Sequence, residues 1–233
     1  MSTIAENIAN VRTRILRAAH AVDRDSRSVT LMAVSKTRPA AAIRQAHAAD
    51  IEHIGENYLQ EALAKMTELQ DLPLVWHFIG PIQSNKTRAI AEHFDWVHSV
   101  DRLKVAQRLS AQRPADKAPL NICLQVNISA EDSKAGISLH QLPDLAQAVA
   151  ELPGLRLRGL MAIPAPATSS AERRAPLRAL REAMAALPLP LDTLSMGMSD
   201  DLDEAIAEGA TMVRIGSALF GARDYSTPVP KDD

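Results

Sequence analysis

A lysine ends the first long apolar run of the sequence. Residues 29–36 read VTLMAVSK, and such a run predicts a strand that is buried on both faces and stops at Lys36. Thr37, Arg38 and Pro39 follow, and a proline near the first turn marks the start of a helix. Burial would disfavour the ammonium form of Lys36, and a neutral lysine is a nucleophile that forms an imine with an aldehyde. Lys36 is therefore a candidate for covalent chemistry at a strand-to-helix junction.

The rest of the chain repeats the same strand-then-helix unit. Apolar runs bounded by glycine, proline and polar residues predict eight strands, which span residues 29–36, 51–55, 74–79, 96–100, 121–128, 155–163, 191–198 and 211–215. Helical spacing and helix-start residues predict a helix at 4–22 before the first strand. Further helices are predicted at 39–49, 58–69, 84–93, 101–112, 138–152, 176–187 and 199–208. In this interpretation Asp101 caps the fifth of these helices, Pro176 begins the seventh, and Ser199 or Asp200 caps the eighth.

Alternation of strands and helices implies parallel pairing, because each crossover helix returns the chain to the same edge of the sheet. Eight units favour an α/β fold of the closed (β/α)8 TIM barrel type with an extra N-terminal helix. An open doubly wound sheet is the competing fold, but no GxGxxG follows the first strand. We expect one barrel domain over residues 1–225 and a loose C-terminal tail over 226–233.

The carboxyl ends of all strands meet at one mouth of such a barrel, where active sites are found. The residues predicted there are Lys36, Asn57, His77, Ser99, Asn127, Met161, Ser199, Gly216 and Ser217. Barrels commonly bind phosphate at the loops after strands seven and eight, which here carry Ser199 and Gly216-Ser217. Arg214 shares the inward side of the last strand with Gly216. A buried arginine needs an acceptor, and the ring nitrogen of pyridoxal phosphate would be one that stays unprotonated.

Several stretches together resemble one known family. They are AVSKTRP (33–39), IGENYLQE (54–61), WHFIGPIQSNK (76–86), LQVNIS with SKAGI (124–129 and 133–137), RGLMAI (158–163), LSMGMSDD (194–201) and VRIGSALFGARDY (213–225). In these the chain resembles the pyridoxal-phosphate homeostasis proteins, which are single-domain relatives of the N-terminal barrel of alanine racemase. The resemblance implies an alanine racemase N-terminal-domain-like fold over almost the whole chain.

The resemblance also implies roles for individual residues. Lys36 would be the Schiff-base lysine, and Ser199, Gly216 and Ser217 would contact the phosphate. Arg214 would face the ring nitrogen, while Asn57, His77 and Met161 would line the pocket. The expected function is to hold pyridoxal 5'-phosphate as an internal aldimine on Lys36 and so to take part in the intracellular homeostasis of vitamin B6, with PLP-dependent apo-enzymes as candidate recipients.

Two other functions remain open from the sequence. One is a PLP-dependent amino-acid racemase of weak activity, because the barrel resembles that family; we expect no robust catalysis. The other is an imine-forming aldolase without PLP, in which Lys36 takes the carbonyl of a sugar phosphate.

The amino-acid composition limits the classes of protein to which the chain can belong. The 233 residues are 46% hydrophobic and 23% charged with a net charge of −2, which argues against disorder and against a polyanion-binding surface. The single cysteine, Cys123, cannot form an internal disulfide, and no signal peptide or long apolar span is visible. We therefore expect a cytoplasmic monomer with no nucleic-acid or membrane partner, and the histidine spacing predicts no metal site.

Overall fold

The computed structural model describes residues 2–129 and 135–221. Eight parallel strands form a closed barrel in chain order, with the last strand paired to the first. The strands are β1 (Thr30–Val34), β2 (His53–Glu56), β3 (Val75–Phe78), β4 (Trp96–Val100), β5 (Leu120–Gln125), β6 (Leu155–Met161), β7 (Thr193–Ser195) and β8 (Met212–Ile215). The predicted (β/α)8 barrel is thereby confirmed. The predicted end of the domain at residue 225, the tail 226–233 and residues 133 and 134 of the SKAGI stretch lie outside the described residues.

Helices surround the barrel and connect successive strands. They are α1 (Ile4–His20), α2 (Ala40–His47), α3 (Leu59–Glu68), α4 (Thr87–His93), α5 (Leu103–Gln112), α6 (Leu142–Ala150), α7 (Ser170–Ala185), α8 (Leu202–Ala207) and α9 (Ser217–Phe220), with a short 3-10 helix at Ser26–Ser28. The extra N-terminal helix is the predicted one. Its start is fixed by a capping box, in which Thr3 accepts from the Glu6 amide and the Glu6 carboxylate accepts from the Thr3 amide.

Five helix starts lie two or more residues from the predicted ones. Helix α4 begins at Thr87 and not at 84, α6 begins at Leu142 and not at 138, and the starts of α5, α7 and α8 also differ. Helix α7 begins at Ser170 and not at Pro176, because Ser169 and Glu172 form a second capping box and Pro176 lies inside the helix. Helix α8 begins at Leu202, and Asp201 uses its carboxylate on the Met198 amide instead of a helix cap.

Helix α5 begins at Leu103 with no side-chain cap, since the carboxylate of Asp101 accepts from the Arg102 guanidinium. Asp101 was suited to a cap by its residue type, but Arg102 takes its hydrogen-bonding group.

The apolar core lies between the barrel and its helices. One large cluster of buried residues joins the outer faces of the strands to the helices, with members such as Ile54, Val97, Ile122 and Val213. The interior of the barrel is different. It contains a small apolar cluster of Trp96, Cys123 and Met161 beside buried histidines, a serine and an arginine. Burial of polar side chains costs free energy unless they are hydrogen-bonded. Apolar residues could fill this space at no such cost, so the polar groups are candidates for function.

Candidate functional site

Lys36 lies in a tight turn directly after β1. The Arg38 amide donates to the Ser35 carbonyl (3.0 Å), so residues 35–38 form a turn in which Lys36 is the second residue. Thr37 is the third and has a φ of 64°. A positive φ at this position is usually met by glycine, and for a β-branched residue it is a strained conformation. Strain of this kind persists when the surroundings hold the backbone in place.

A buried ion cluster holds the backbone on both sides of Lys36. The ammonium of Lys65, on α3, donates to the Ser35 carbonyl (2.7 Å) and to the carboxylates of Glu56 and Glu61 (2.6 Å each). Glu61 in turn accepts from the Thr37 amide (2.6 Å). We call these residues, Ser35, Thr37, Glu56, Glu61 and Lys65, the Lys65 clasp. It fixes the residue before Lys36 and the residue after it.

The Lys65 clasp is a cluster of charged side chains between helix α3 and the ends of β1 and β2. Lys65 is 5% exposed and Glu56 is fully buried, and the Ser35 hydroxyl also donates to Glu56 (2.5 Å). Burial raises the pKa of the Glu56 carboxyl, although Lys65 and Ser35 act in the opposite direction. The clasp was not predicted. The i,i+4 spacing of Glu61 and Lys65 after a polar strand end was its visible signal.

Asn57 follows β2 at the same mouth. An added Cβ at Gly80, after β3, would lie 2.1 Å from the Asn57 carbonyl oxygen, so the two strand ends touch through their backbones. The side-chain oxygen of Asn57 is buried without a hydrogen-bond partner among the described residues. Glu56 Oε2, Glu61 Oε2 and Gln112 Oε1 share this state, and the Asn57 oxygen is a candidate ligand contact because it also follows a strand end. Ser99, by contrast, donates to the Gly80 carbonyl (2.6 Å) and lies on the face of β4 opposite to His98.

Arg214 lies inside the barrel on β8. One terminal nitrogen donates to the Ser195 carbonyl (2.5 Å) and to the Ser195 hydroxyl oxygen (2.9 Å), and the other donates to the Ala162 carbonyl (2.9 Å). In the part of the chain that the structure describes, no carboxylate forms an ion pair with Arg214. Burial lowers the pKa of Arg214 to about 10, so the guanidinium stays charged at neutral pH. Three of its five N–H donors form these bonds, and the other two have no hydrogen-bond partner among the described residues.

Gly216 and Ser217 follow Arg214, at the start of the short helix α9. Ser217 is exposed, and its amide belongs to the first turn, where helix N–H groups have no partner within the helix. An added Cβ at Gly216 would lie 3.4 Å from the Val34 carbonyl oxygen, which is ordinary contact. The protein thus has room for a side chain at Gly216. Ser199 lies in the loop between β7 and α8, where its carbonyl accepts from Arg14 on α1 (2.6 Å).

His77 and Met161, which were predicted to line the pocket, are buried residues of β3 and of the end of β6. Met161 packs with Trp96 and Cys123, and His77 is fully buried and stacked on Trp96 with ring centroids 5.5 Å apart. The nitrogens of His77 contact His53 Nδ1 (2.8 Å) on one side and His98 Nε2 (2.9 Å) on the other. The Nδ1 atom of His98 then contacts the Ser195 hydroxyl (2.8 Å). We call the four residues His53, His77, His98 and Ser195 the histidine chain.

The histidines of this chain are neutral. Burial lowers the pKa of His77 well below its usual value, and burial together with the charge of Arg214 lowers the pKa of His98 to about 3. Burial also lowers the pKa of His53, against the charges of Glu52 and Asp95. Among the histidine, cysteine and acidic residues described, no group of three or more is arranged to hold a metal ion.

The structure therefore separates the predicted site residues into two levels. Lys36, Asn57, Ser199, Gly216 and Ser217 follow the strands at the mouth, whereas His77, Met161 and Arg214 lie within the strands. His53, His98 and Ser195 were missed as interior residues. Alternation was a signal for two of them, because His53 and Ser195 each lie four residues before a predicted mouth residue, Asn57 and Ser199. On β4 the prediction chose Ser99, and the adjacent His98 is the residue that faces the barrel interior.

Comparison with known proteins agrees with this architecture. The family model of the alanine racemase N-terminal domain matches residues 2–224. The chain is 68% identical over 228 residues to the pyridoxal phosphate homeostasis protein of Pseudomonas aeruginosa, covering 98% of this chain and 99% of that one. It is 55% identical over 232 residues to the protein of the same name from Escherichia coli K12, covering 97% and 99%.

A solved structure agrees as well. PipY of Synechococcus elongatus PCC7942, with PLP bound, is 42% identical and superimposes with a TM-score of 0.83, covering 94% of this chain and 100% of that one. None of the helices within the described residues is long and apolar enough to cross a membrane. By its sequence along nearly its whole length and by its barrel, the chain belongs to the alanine racemase N-terminal domain family and, within it, to the pyridoxal phosphate homeostasis proteins.

Proposed function

We propose that this protein binds pyridoxal 5'-phosphate covalently through Lys36 and contributes to the homeostasis of that cofactor. The observation that carries the proposal is the Lys65 clasp, which fixes the backbone on both sides of the lysine in a family of which one solved member, PipY, contains PLP. A lysine that merely extends to solvent would not need its neighbours held by a buried ammonium and two carboxylates.

Groups left without partners fit the cofactor. Two N–H donors of Arg214 have no partner among the described residues, and one of them would donate to a ring nitrogen, which accepts one hydrogen bond. The bare side-chain oxygen of Asn57 would take a polar substituent, and the open space at Gly216 lets a phosphate approach the backbone. Ser217 and Ser199 would add hydroxyl donors to that phosphate.

Each residue then has one task. The cofactor supplies an aldehyde and an electron-accepting ring when it is bound. Lys36 provides the amine that anchors it, and Arg214 donates to the ring nitrogen and keeps it unprotonated because a guanidinium does not release its proton. Met161 would support the site by packing in the barrel interior. His77 would support Arg214 through the hydrogen bonds of His98 and Ser195. An unprotonated ring accepts electrons weakly, so this arrangement favours storage and release of the cofactor over catalysis.

The experiment loads the purified protein with pyridoxal phosphate and records its visible spectrum before and after borohydride reduction. The expected result is a coloured protein whose reduced form carries one cofactor mass on the peptide containing Lys36. Lys36→Ala should lose both signals, whereas Lys104→Ala, which removes an exposed lysine of α5, should keep both. A colourless protein that borohydride modifies only in the presence of a sugar phosphate would instead establish the aldolase function.

Release is tested in the same preparation. We propose PLP-dependent apo-enzymes as recipients, and loaded protein should restore the activity of such an apo-enzyme when free pyridoxal phosphate is removed by a scavenger. A loaded protein that restores no activity would contradict this role. The cytoplasmic location and the monomeric state remain predictions from the sequence.

A further inference from the structure

The direction in which hydrogen bonds are donated along the histidine chain is determined at its Ser195 end. Ser195 receives a hydrogen bond from Arg214 (2.9 Å), and a guanidinium can only donate. The hydroxyl hydrogen of Ser195 is then free for a second partner, and His98 Nδ1 is 2.8 Å away. Of the described residues, none other than His98 and Arg214 contacts this hydroxyl. If His98 Nδ1 were the donor, the buried hydroxyl hydrogen would have no acceptor, which is unfavourable.

The direction set at Ser195 passes along the whole chain. Since His98 Nδ1 accepts, a neutral His98 carries its hydrogen on Nε2 and donates to His77 Nδ1 (2.9 Å). His77 must then carry its hydrogen on Nε2 and donate to His53 Nδ1 (2.8 Å). His53 also carries its hydrogen on Nε2, directed away from the chain. All three tautomers follow from one donor-only residue.

The same direction is favoured by charge. Arg214 is 4% exposed, and in the described ranges 2–129 and 135–221 no carboxylate is paired with it. Along the assigned chain each residue presents its accepting atom toward Arg214 and its donor away from it, so the aligned dipoles stabilise the cation. The reverse direction would turn three N–H groups toward a buried positive charge. Hydrogen-bond counting and electrostatics thus select the same arrangement.

We propose that His53, His77, His98 and Ser195 are positioning residues, which form a hydrogen-bonded chain of fixed direction that holds Arg214 as a cation donating to the ring nitrogen of the bound cofactor. This inference rests on the proposed function of Arg214. The charge of Asp201 acts to raise the pKa of Arg214 without a direct ion pair among the described residues, and the chain supplies the hydrogen-bonded support. A carboxylate would draw the guanidinium donors toward itself, whereas the chain engages one terminal nitrogen and leaves two donors, one of which would donate to the ring nitrogen.

The first experiment needs no cofactor. Long-range proton–nitrogen NMR of protein with 15N-labelled histidine distinguishes the two neutral tautomers and the imidazolium. The expected result at neutral pH is that His53, His77 and His98 all carry hydrogen on Nε2, with each signal assigned by a single His→Gln variant. A hydrogen on Nδ1 of His77 or His98 would overturn the proposed direction.

The second experiment measures the effect on the cofactor. Ser195→Ala removes the link between Arg214 and the chain, so the 15N signal of ring-labelled pyridoxal phosphate should move toward that of a free pyridine, and the cofactor should bind about fivefold more weakly. Ser195→Thr restores the hydroxyl and should return both values. Thr193→Val is the matched control, because it removes a buried hydroxyl two residues away on β7 that bonds to Asp192.

The two experiments separate the ways in which the inference can fail. An unchanged ring-nitrogen signal in Ser195→Ala, with the tautomers as assigned, would overturn the positioning role and leave the proposed function intact. A protein that binds no cofactor would overturn the proposed function and the role of Arg214 together, while the tautomers measured without cofactor would still report the direction of the chain.

Discussion

Glycine is present at two positions at the mouth of the barrel, Gly80 and Gly216, for different physical reasons. At Gly80 an added Cβ would lie 2.1 Å from the Asn57 carbonyl oxygen, whereas at Gly216 the nearest atom, the Val34 carbonyl oxygen, would lie at 3.4 Å. Close packing of the protein against itself explains the first glycine. The second has room for a methyl group, so we attribute it to the approach of a phosphate.

This contrast predicts opposite results for two alanine substitutions. Gly216→Ala should change the free energy of unfolding by about 1 kcal/mol or less, yet weaken cofactor binding about tenfold, because the added methyl group occupies the approach to the backbone. Gly80→Ala should destabilise the protein by about 3 kcal/mol through overpacking. Urea unfolding and spectroscopic titration with pyridoxal phosphate measure the two effects. Unaltered cofactor affinity in Gly216→Ala would contradict the phosphate role of this loop.

At the scale of the elements, the Lys65 clasp joins the turn after β1 to the strand end of β2 and the helix α3. The ammonium of Lys65 has three acceptors, two of them carboxylates. A buried pair of this kind adds little to stability compared with apolar residues, but removal of one partner leaves uncompensated charge. We interpret the clasp as the support for the strained conformation of Thr37.

Lys65→Met should therefore destabilise the fold by about 3–5 kcal/mol, because Glu56 and Glu61 would be left buried without a cation. The double variant Lys65→Met, Glu61→Gln should recover part of this loss in urea unfolding. In both variants borohydride should attach less cofactor to Lys36, since the turn that presents it is no longer held. Full labelling of Lys36 in a folded Lys65→Met protein would show that the clasp serves stability alone.

The elements themselves could be predicted from the sequence to a large extent, and the reasons for the exceptions are physical. Buried parallel strands are continuous apolar runs, so the eight strands and the barrel followed from local sequence. The cap predicted at Asp101 is absent because Arg102 engages its carboxylate in the folded chain. The helix predicted to start at Pro176 begins earlier because Ser169 and Glu172 form a capping box. Lys36, Asn57 and Arg214 were predictable as polar residues in or after strands, whereas Lys65 lies on a helix, where a lysine is normally exposed.

The histidine chain was hidden from the sequence for a different reason. His53, His77 and His98 are separated by 24 and 21 residues, and their contact depends on the register of three strands. Paired residues such as Ile54 with Trp76 and Gly55 with His77 set that register, and a shift of one residue would turn the histidines out of the barrel.

At the scale of the whole molecule, another buried carboxylate joins helix α7 to the segment before the last strand. Glu208 follows α8 and is 1% exposed. It accepts hydrogen bonds from Arg174 (2.7 Å), Arg178 (3.1 Å) and Arg181 (3.0 Å) of α7. These contacts connect α7 to the segment that leads into β8, the strand that closes the barrel on β1. Closure of the barrel thus depends in part on one charge.

Glu208 predicts how the stability of the molecule depends on pH. Burial acts to raise the pKa of Glu208, but hydrogen bonds from Arg178 and Arg174 prevail and lower it. Its stabilising contribution is therefore present above the pKa of an unfolded glutamate, about 4.3, and is lost as the pH falls through the lower folded pKa. Glu208→Gln should lower the urea midpoint at pH 7, and the difference from wild type should shrink as the pH falls below about 4.3.

Two further measurements distinguish the charge from the shape of Glu208. The arginines are 42–51% exposed, so added salt should narrow the gap between wild type and Glu208→Gln at pH 7. Glu182→Gln serves as the matched control, because Glu182 forms an exposed pair with Arg181 at 3.8 Å and should change the midpoint little. A gap between wild type and Glu208→Gln that persisted unchanged from pH 7 to about pH 3 would mean that packing, and not the ion cluster, holds α7 to the closing strand.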